Sequence, residues 1–200
     1  MYSRINAELN GLIDQLPAGK EGFITPSQAD FLYHFIMLTR PRLVAETGFH
    51  VGHSACVIMK AMEEYGGGTL ISFDIAKYEE TKKAVEIVKK RFENLHFVEG
   101  DTKQTLAGTL AQLFNQNPTL TLDFCIVDGG HDVETARHDM IVMESLLKPG
   151  GYLWLDDFEN NIYRNVGVNV AGREFAMSRK HCLRFITDDH RGILIHQKGF

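Results

Sequence analysis

Acidic side chains stand at the ends of five apolar runs in this sequence. Leu43–Thr47 carries Glu46, Thr69–Asp74 closes on Asp74, and Leu95–Glu99 leads into Gly100-Asp101. Leu122–Asp128 closes on Asp128, and Gly151–Asp156 on Asp156-Asp157. Carboxylates that cap the following helices account for part of this, Asp101 and Asp132 above all. The turn after the first run, Glu46-Thr47-Gly48-Phe49-His50-Val51-Gly52-His53-Ser54, has chemistry of its own. Two glycines let the backbone pass close to a ligand with no Cβ in the way. The helix that opens at Ser54 offers free N–H groups to a carboxylate or phosphate. Glu46 adds a fixed negative charge that can meet an ammonium, so the turn suits the amino-acid end of a zwitterion. Asp74 lies 26 residues after Gly48, where a carboxylate accepts from both hydroxyls of a ribose. The dinucleotide pattern G-x-G-x-x-G and the Walker pattern are both absent, and Glu46 would repel a phosphate.

Alternating elements must position these residues. Tyr2, Ile5, Leu9, Leu12, Ile13 and Leu16 recur at helical spacing. Thr25-Pro26-Ser27-Gln28 reads as the capped start of a second helix that runs to about Leu38. The five apolar runs then alternate with helical patterns at Ser54–Tyr65, Tyr78–Phe92, Thr102–Phe114 and Val133–Leu147. Strands apolar on both faces and separated by helices predict a parallel sheet covered on both sides, with every carboxyl end on one edge. Ligands of such sheets bind at that edge. Cys182–Thr187 and Gly192–His196 flank Asp188-Asp189-His190-Arg191 and predict an antiparallel hairpin. The fold class expected is α/β, doubly wound, a mostly parallel sheet of about seven strands in one domain. Residues 1–40 form a helical extension and 43–200 the core. The polar segment Glu159–Lys180 should be a helix with loops over the sheet edge.

Composition narrows the classes. The chain has 200 residues, 44% apolar and 24% charged, with a formal net charge of −5. That balance argues against a nucleic-acid surface, and Lys82, Lys83, Lys89, Lys90 and Arg91 read as the solvated face of a helix. No apolar run reaches the roughly 18 residues of a membrane span. Met1–Leu16 is amphipathic with internal charges, unlike a signal peptide. Cys56, Cys125 and Cys182 have neither disulfide-framework nor zinc spacing, and read as reduced thiols of a cytoplasmic protein.

Taken in order, the glycine turn, Asp74, Gly100-Asp101-Thr102, Asp128-Gly129-Gly130-His131 and Lys148-Pro149-Gly150-Gly151-Tyr152 resemble the motifs of class I S-adenosylmethionine (SAM)-dependent methyltransferases. The resemblance covers roughly Leu43 to His196 and implies a Rossmann-like fold. It implies a SAM site built from Glu46, Gly48, Phe49, His50, Gly52, Ser54, Asp74, Asp101, Thr102 and Asp128. Within the class the chain is most similar to small-molecule O-methyltransferases of the catechol and cephalosporin-biosynthesis type. By that resemblance Asp128, Asp156 and Asp157 bind one divalent cation, Mg²⁺, Ca²⁺ or Mn²⁺ for an oxygen-only ligand set. The catechol-type enzymes have Asp-Asn where this chain has Asp156-Asp157.

His131 stands where those enzymes place a catalytic lysine, and a neutral imidazole there can take a proton from an acceptor hydroxyl. Asp128 and His131 are therefore the catalytic candidates. The reading expected is a methyltransferase acting on a small-molecule hydroxyl. Two alternatives stay open: a metal-independent methyltransferase with another acceptor atom, and a non-catalytic module that binds SAM or S-adenosylhomocysteine (SAH). A homodimer is compatible with the first helix and the hairpin. Selectivity for the acceptor is expected from Tyr2–Gly22 and Glu159–Lys180.

Overall fold

A strand buried on both faces has no polar alternation, and β1 (Leu43–Thr47) obeys that rule with all five residues buried. The computed structural model describes residues 7–18, 24–159, 166–187 and 190–199. Tyr2, Ile5 and the turn residues Asp188-Asp189 lie outside them. β1 pairs in parallel with β2 (Thr69–Asp74) on one side and β4 (Leu122–Val127) on the other. β3 (Leu95–Glu99) extends the sheet beyond β2, and β5 (Leu147–Leu155) extends it beyond β4. The hairpin strands β6 (Cys182–Ile186) and β7 (Gly192–Gln197) complete the order β3-β2-β1-β4-β5-β7-β6, with β7 antiparallel to both neighbours. The sheet thus has seven strands, mostly parallel, with an antiparallel closing hairpin.

The helices divide between the two faces. α1 (Ala7–Ile13), α2 (Pro26–Thr39), α3 (His53–Glu64) and α4 (Glu79–Arg91) pack over one core, which contains Leu9, Ile36, Ile58, Val88 and Trp154. α5 (Thr102–Gln116), α6 (Val133–Leu146) and α7 (Val166–Ser178) cover the other, around Leu106, Met140, Phe175 and Leu194. The chain changes face after β3, so β1 and β4 are neighbours whose following helices lie on opposite sides. That is the switch point at which the carboxyl edge opens.

The start of α2 follows the sequence closely. Thr25 Oγ1 accepts from Gln28 N at 3.2 Å and Gln28 Oε1 accepts from Thr25 N at 3.1 Å, a complete capping box with Pro26 inside the first turn. β5 departs from the sequence reading. It begins at Leu147 rather than Gly151, because Leu147 already pairs with Leu122 and a bulge then absorbs Pro149 and the glycines.

Candidate active site

The carboxyl ends of β1, β2, β4 and β5 surround a cavity of about 560 Å³. Gly48, His50, Asp74, Asp101, Thr102, Asp128, His131, Asp156 and Asp157 all line it. The sheet hydrogen bonds continue past the strand ends and fix the rim. Gly48 N donates to Phe73 O, Asp128 N to Thr47 O, and Asp156 N to Val127 O, at 2.8, 3.0 and 3.0 Å. Gly48 sits at φ +93°, and a Cβ there would lie 1.9 Å from the carbonyl oxygen of Asp128. Only glycine lets the β1 and β4 loops meet this closely. The N-cap of α3, Gly52, makes no side-chain capping hydrogen bond, and His53 and Ser54 of its first turn line a small recess beside the cavity.

The expected cofactor residues fall into three groups. Asp74, Asp101 and Thr102 line the cavity, and Asp74 also anchors the glycine turn by accepting from His50 N at 2.8 Å and Ala76 N at 2.7 Å. Asp101 caps α5 by accepting from Lys103 N at 2.9 Å. Gly48, His50, Ser54 and the backbone of the turn enclose a small adjoining recess. Phe49 and Glu46 point inward instead. The Phe49 ring is 1% exposed and packs edge-on against Phe97 at 5.3 Å. Glu46 is 1% exposed; its carboxyl accepts from Ser72 Oγ at 2.7 Å and Ser54 Oγ at 3.0 Å. Burial pushes the Glu46 carboxyl up to about 7. It stands behind the turn and orients Ser54, rather than presenting an open charge to an ammonium.

On the β4 and β5 side, His131 Nε2 lies 3.9 Å from Asp128 Oδ1 and 3.6 Å from Asp157 Oδ2. Asp128, with the Asp157 and Asp128 charges together, raises His131 above an ordinary imidazole against its partial burial. Burial likewise lifts the Asp128 carboxyl, to about 6. The carboxylate trio expected from the sequence is not what converges here. Asp157 adopts φ +56°, and Asp156 and Asp157, both lining the cavity, take different partners. Asp156 Oδ1 accepts from Gln28 Nε2 at 2.8 Å and from Trp154 Nε1 at 3.4 Å. Burial and the neighbouring Asp128 and Asp157 raise its carboxyl well above the usual range. Asp128, His131 and Asp157 form the cluster instead, their candidate ligand atoms within 4.8 Å of one another.

Three residues that the sequence reading passed over complete the site. Arg191 Nη1 donates to Asp157 Oδ1 at 2.9 Å, Gln28 holds Asp156, and Ser72 holds Glu46. Arg191 follows a hairpin turn and Gln28 belongs to a capping box, so neither carries a motif that points to the site; only the third dimension joins them to the acids.

The methyltransferase-domain family matches residues 45–158, more than half of the chain. The chain belongs to that family. Its matched span runs from β1 through β5 and includes every acid around the cavity. A comparison with curated protein sequences finds no match. Among solved structures the methyltransferase is similar to an O-methyltransferase from Bacillus cereus in complex with SAH, at 16% identity and a TM-score of 0.67, over 96% of this chain and 91% of that one. The O-methyltransferase TomG from Streptomyces achromogenes, involved in tomaymycin synthesis and bound to SAM, has 15% identity and a TM-score of 0.68, over 98% and 92%. CalS11, a TDP-rhamnose 3′-O-methyltransferase of calicheamicin biosynthesis, has 16% identity and a TM-score of 0.68, over 96% and 92%. At these identities the likeness is one of fold.

The residues present fit a nucleoside-bearing zwitterion. The cavity has the volume of a small-molecule site, Asp74 lines it with a carboxylate, and the start of α3 lines the small recess beside it. A dedicated Mg²⁺ site fits less well, because such an ion demands near-octahedral oxygen ligands. The cluster offers two carboxylates and one imidazole, and one carboxylate already carries a guanidinium.

Proposed function

We propose that this protein transfers the methyl group of SAM to a hydroxyl of a small molecule, with His131 as the base. The observation that carries the reading is His131 itself, an imidazole held between Asp128 and Asp157 at the rim of the cofactor-sized cavity. SAM supplies a methyl on a sulfonium, so the protein has to supply alignment and a proton acceptor. Gly48 and the start of α3 hold the amino-acid end, and Asp74 holds the ribose. Asp101 and Thr102 border the adenine side. Asp128 fixes the imidazole and faces the ammonium side of the turn. His131 is about half exposed, so an acceptor can reach it. Its proton acceptance leaves a nucleophilic oxygen in line with the methyl carbon. The divalent cation implied by the sequence resemblance is not part of this reading, since Asp157 is already paired with Arg191. The three cysteines, all free thiols, support a cytosolic setting.

The reading is tested by calorimetric titration of the purified protein with SAH, followed by methyl transfer from SAM to a panel of phenols, catechols and sugars. SAH binding in the micromolar range and transfer to at least one hydroxyl acceptor are expected. Asp74→Ala should weaken SAH binding at least tenfold, from the loss of a charged hydrogen-bond acceptor. Undiminished affinity in that variant, or no SAH binding by the wild type, overturns the reading. Binding without transfer to any acceptor favours a SAM- or SAH-binding module.

A further inference from the structure

The closing hairpin delivers one side chain to the cavity, and its position is built rather than incidental. Arg191 begins at a clasp: Thr187 N donates to Arg191 O at 2.8 Å, and Arg191 N donates to Thr187 Oγ1 at 3.2 Å. The next residue, Gly192, lies so close to the β5–α7 connection that a Cβ would come within 1.7 Å of the Phe158 carbonyl oxygen. The backbone is therefore pressed under that connection, and the Arg191 side chain, 10% exposed, reaches Asp157 at 2.9 Å. Arg191 also lines the cavity shared with His131 and Asp128.

We infer that the guanidinium of Arg191, in place of a divalent cation, supplies the positive charge at the acceptor end of this cavity, so that hydroxyl methylation here proceeds without Mg²⁺. The inference rests on the methyltransferase reading above and concerns the charge that this reading leaves unassigned. Three geometric facts carry it. Asp156 lines the same cavity but commits its Oδ1 to Gln28 Nε2 at 2.8 Å, so one oxygen of the expected ligand set is already engaged. Asp157 spends one oxygen on Arg191 and has its other 3.6 Å from the His131 imidazole. A dication placed between Asp128 and Asp157 would share a carboxylate with a permanent cation and lose affinity by direct repulsion. The guanidinium instead keeps a permanent positive charge on the cavity wall, offset in part by Asp157, on the side where the acceptor loses its proton. In the transfer, the acceptor O–H proton passes to His131 Nε2. The oxygen bonds to the methyl carbon as the carbon–sulfur bond breaks, and that bond's electron pair goes to sulfur. Arg191 steadies the negative charge that develops on the oxygen before the new bond forms.

The test uses chelator-treated, full-length protein saturated with SAH and titrated with MnCl₂, with bound ion followed by the loss of the aqueous Mn²⁺ resonance. The wild type should show no binding tighter than millimolar. Arg191→Met frees Asp157 and should raise Mn²⁺ affinity at least tenfold. Methyl transfer by the wild type should differ less than twofold between EDTA and added Mg²⁺. Micromolar Mn²⁺ binding by the wild type overturns the inference whatever the activity, and so does an unchanged Mn²⁺ affinity in R191M. Turnover that requires Mg²⁺ overturns the inference and leaves the methyltransferase reading standing. No turnover on any acceptor, together with no cation binding by the wild type and the gain in R191M, upholds the site and sinks the hydroxyl-acceptor reading instead. Should R191M fail to fold, Arg191→Lys keeps the charge and loses the planar fork. It should lower turnover about tenfold with no new Mn²⁺ affinity, and Mn²⁺-restored turnover in R191K overturns the inference.

Discussion

His131 must be uncharged to accept a proton, and the two carboxylates beside it hold the charged form to a higher pH than a free imidazole, whose ordinary value is 6.5. Turnover under saturating SAM and acceptor should therefore rise with pH through a midpoint above 6.5. His131→Gln should lower kcat by about 10²–10⁴-fold and leave SAH affinity within twofold, because the ring is not part of the cofactor grip. An unchanged profile in the variant would remove His131 from the chemistry. Glu46 follows the opposite logic. Its ordinary carboxyl titrates at 4.5, and burial raises it to about 7 in the folded protein. The fold favours the protonated form, so this contribution to stability is complete below pH 4.5 and is lost as pH rises through about 7. Glu46→Gln keeps a neutral partner for Ser54 and Ser72 at every pH. It should match the wild type near pH 5 and exceed it by about 1–3 kcal/mol at pH 8, measured by urea unfolding at both values. A difference independent of pH would show that Glu46 is not the titrating group.

At the scale of elements, the β1–α3 turn and the β4–α6 turn touch through one backbone contact, Gly48 against Asp128. Gly48→Ala forces a Cβ into a carbonyl and a left-handed φ on an L-residue. The expected cost is at least about 2 kcal/mol of stability, with SAH affinity lost along with it; a variant of wild-type stability and affinity would show that the loops part easily. The strands were legible because burial on both faces leaves uninterrupted apolar runs. β1, β2 and β3 begin and end where the sequence placed them. β5 was read short because Pro149 and two glycines look like a turn, whereas a bulge accommodates them inside the strand. The acids around the cavity were legible for the same reason, since each follows an apolar run. Their partners were not. Gln28 is 128 residues from Asp156 and Arg191 is 34 from Asp157, and no local pattern encodes such pairings. The different partners of Asp156 and Asp157, Gln28 and Arg191, are not announced by the pair Asp-Asp.

Across the whole molecule, the helical extension is tied down far from the cavity. Lys60, 8% exposed on α3, meets Glu8 of α1 at 2.7 Å and also Glu63 and Glu64 at 3.0 and 3.2 Å. Arg91 at the end of α4 joins Glu8 and Glu63. Three carboxylates around one sheltered ammonium make Lys60 the centre of that tie. Lys60→Met should lower stability by about 1–3 kcal/mol and expose α1 to proteolysis first, while SAH affinity holds. Equal protease resistance in variant and wild type would mean that Leu9 and Ile13 hold α1 by packing alone. No helix among the described residues is long and apolar enough to cross a membrane. The cavity walls have unequal origins: the cofactor wall rests on the parallel strands, whereas Arg191 comes from the hairpin, whose strand β7 is wedged between β5 and β6. Ile193, Leu194 and Ile195 of β7 are at most 4% exposed and pack into the cores on both faces of the sheet, so fraying at the hairpin turn does not release the strand that carries the guanidinium. Arg191 is thus anchored by the same packing that holds the domain together, and the charge it brings to the rim lasts as long as the fold does.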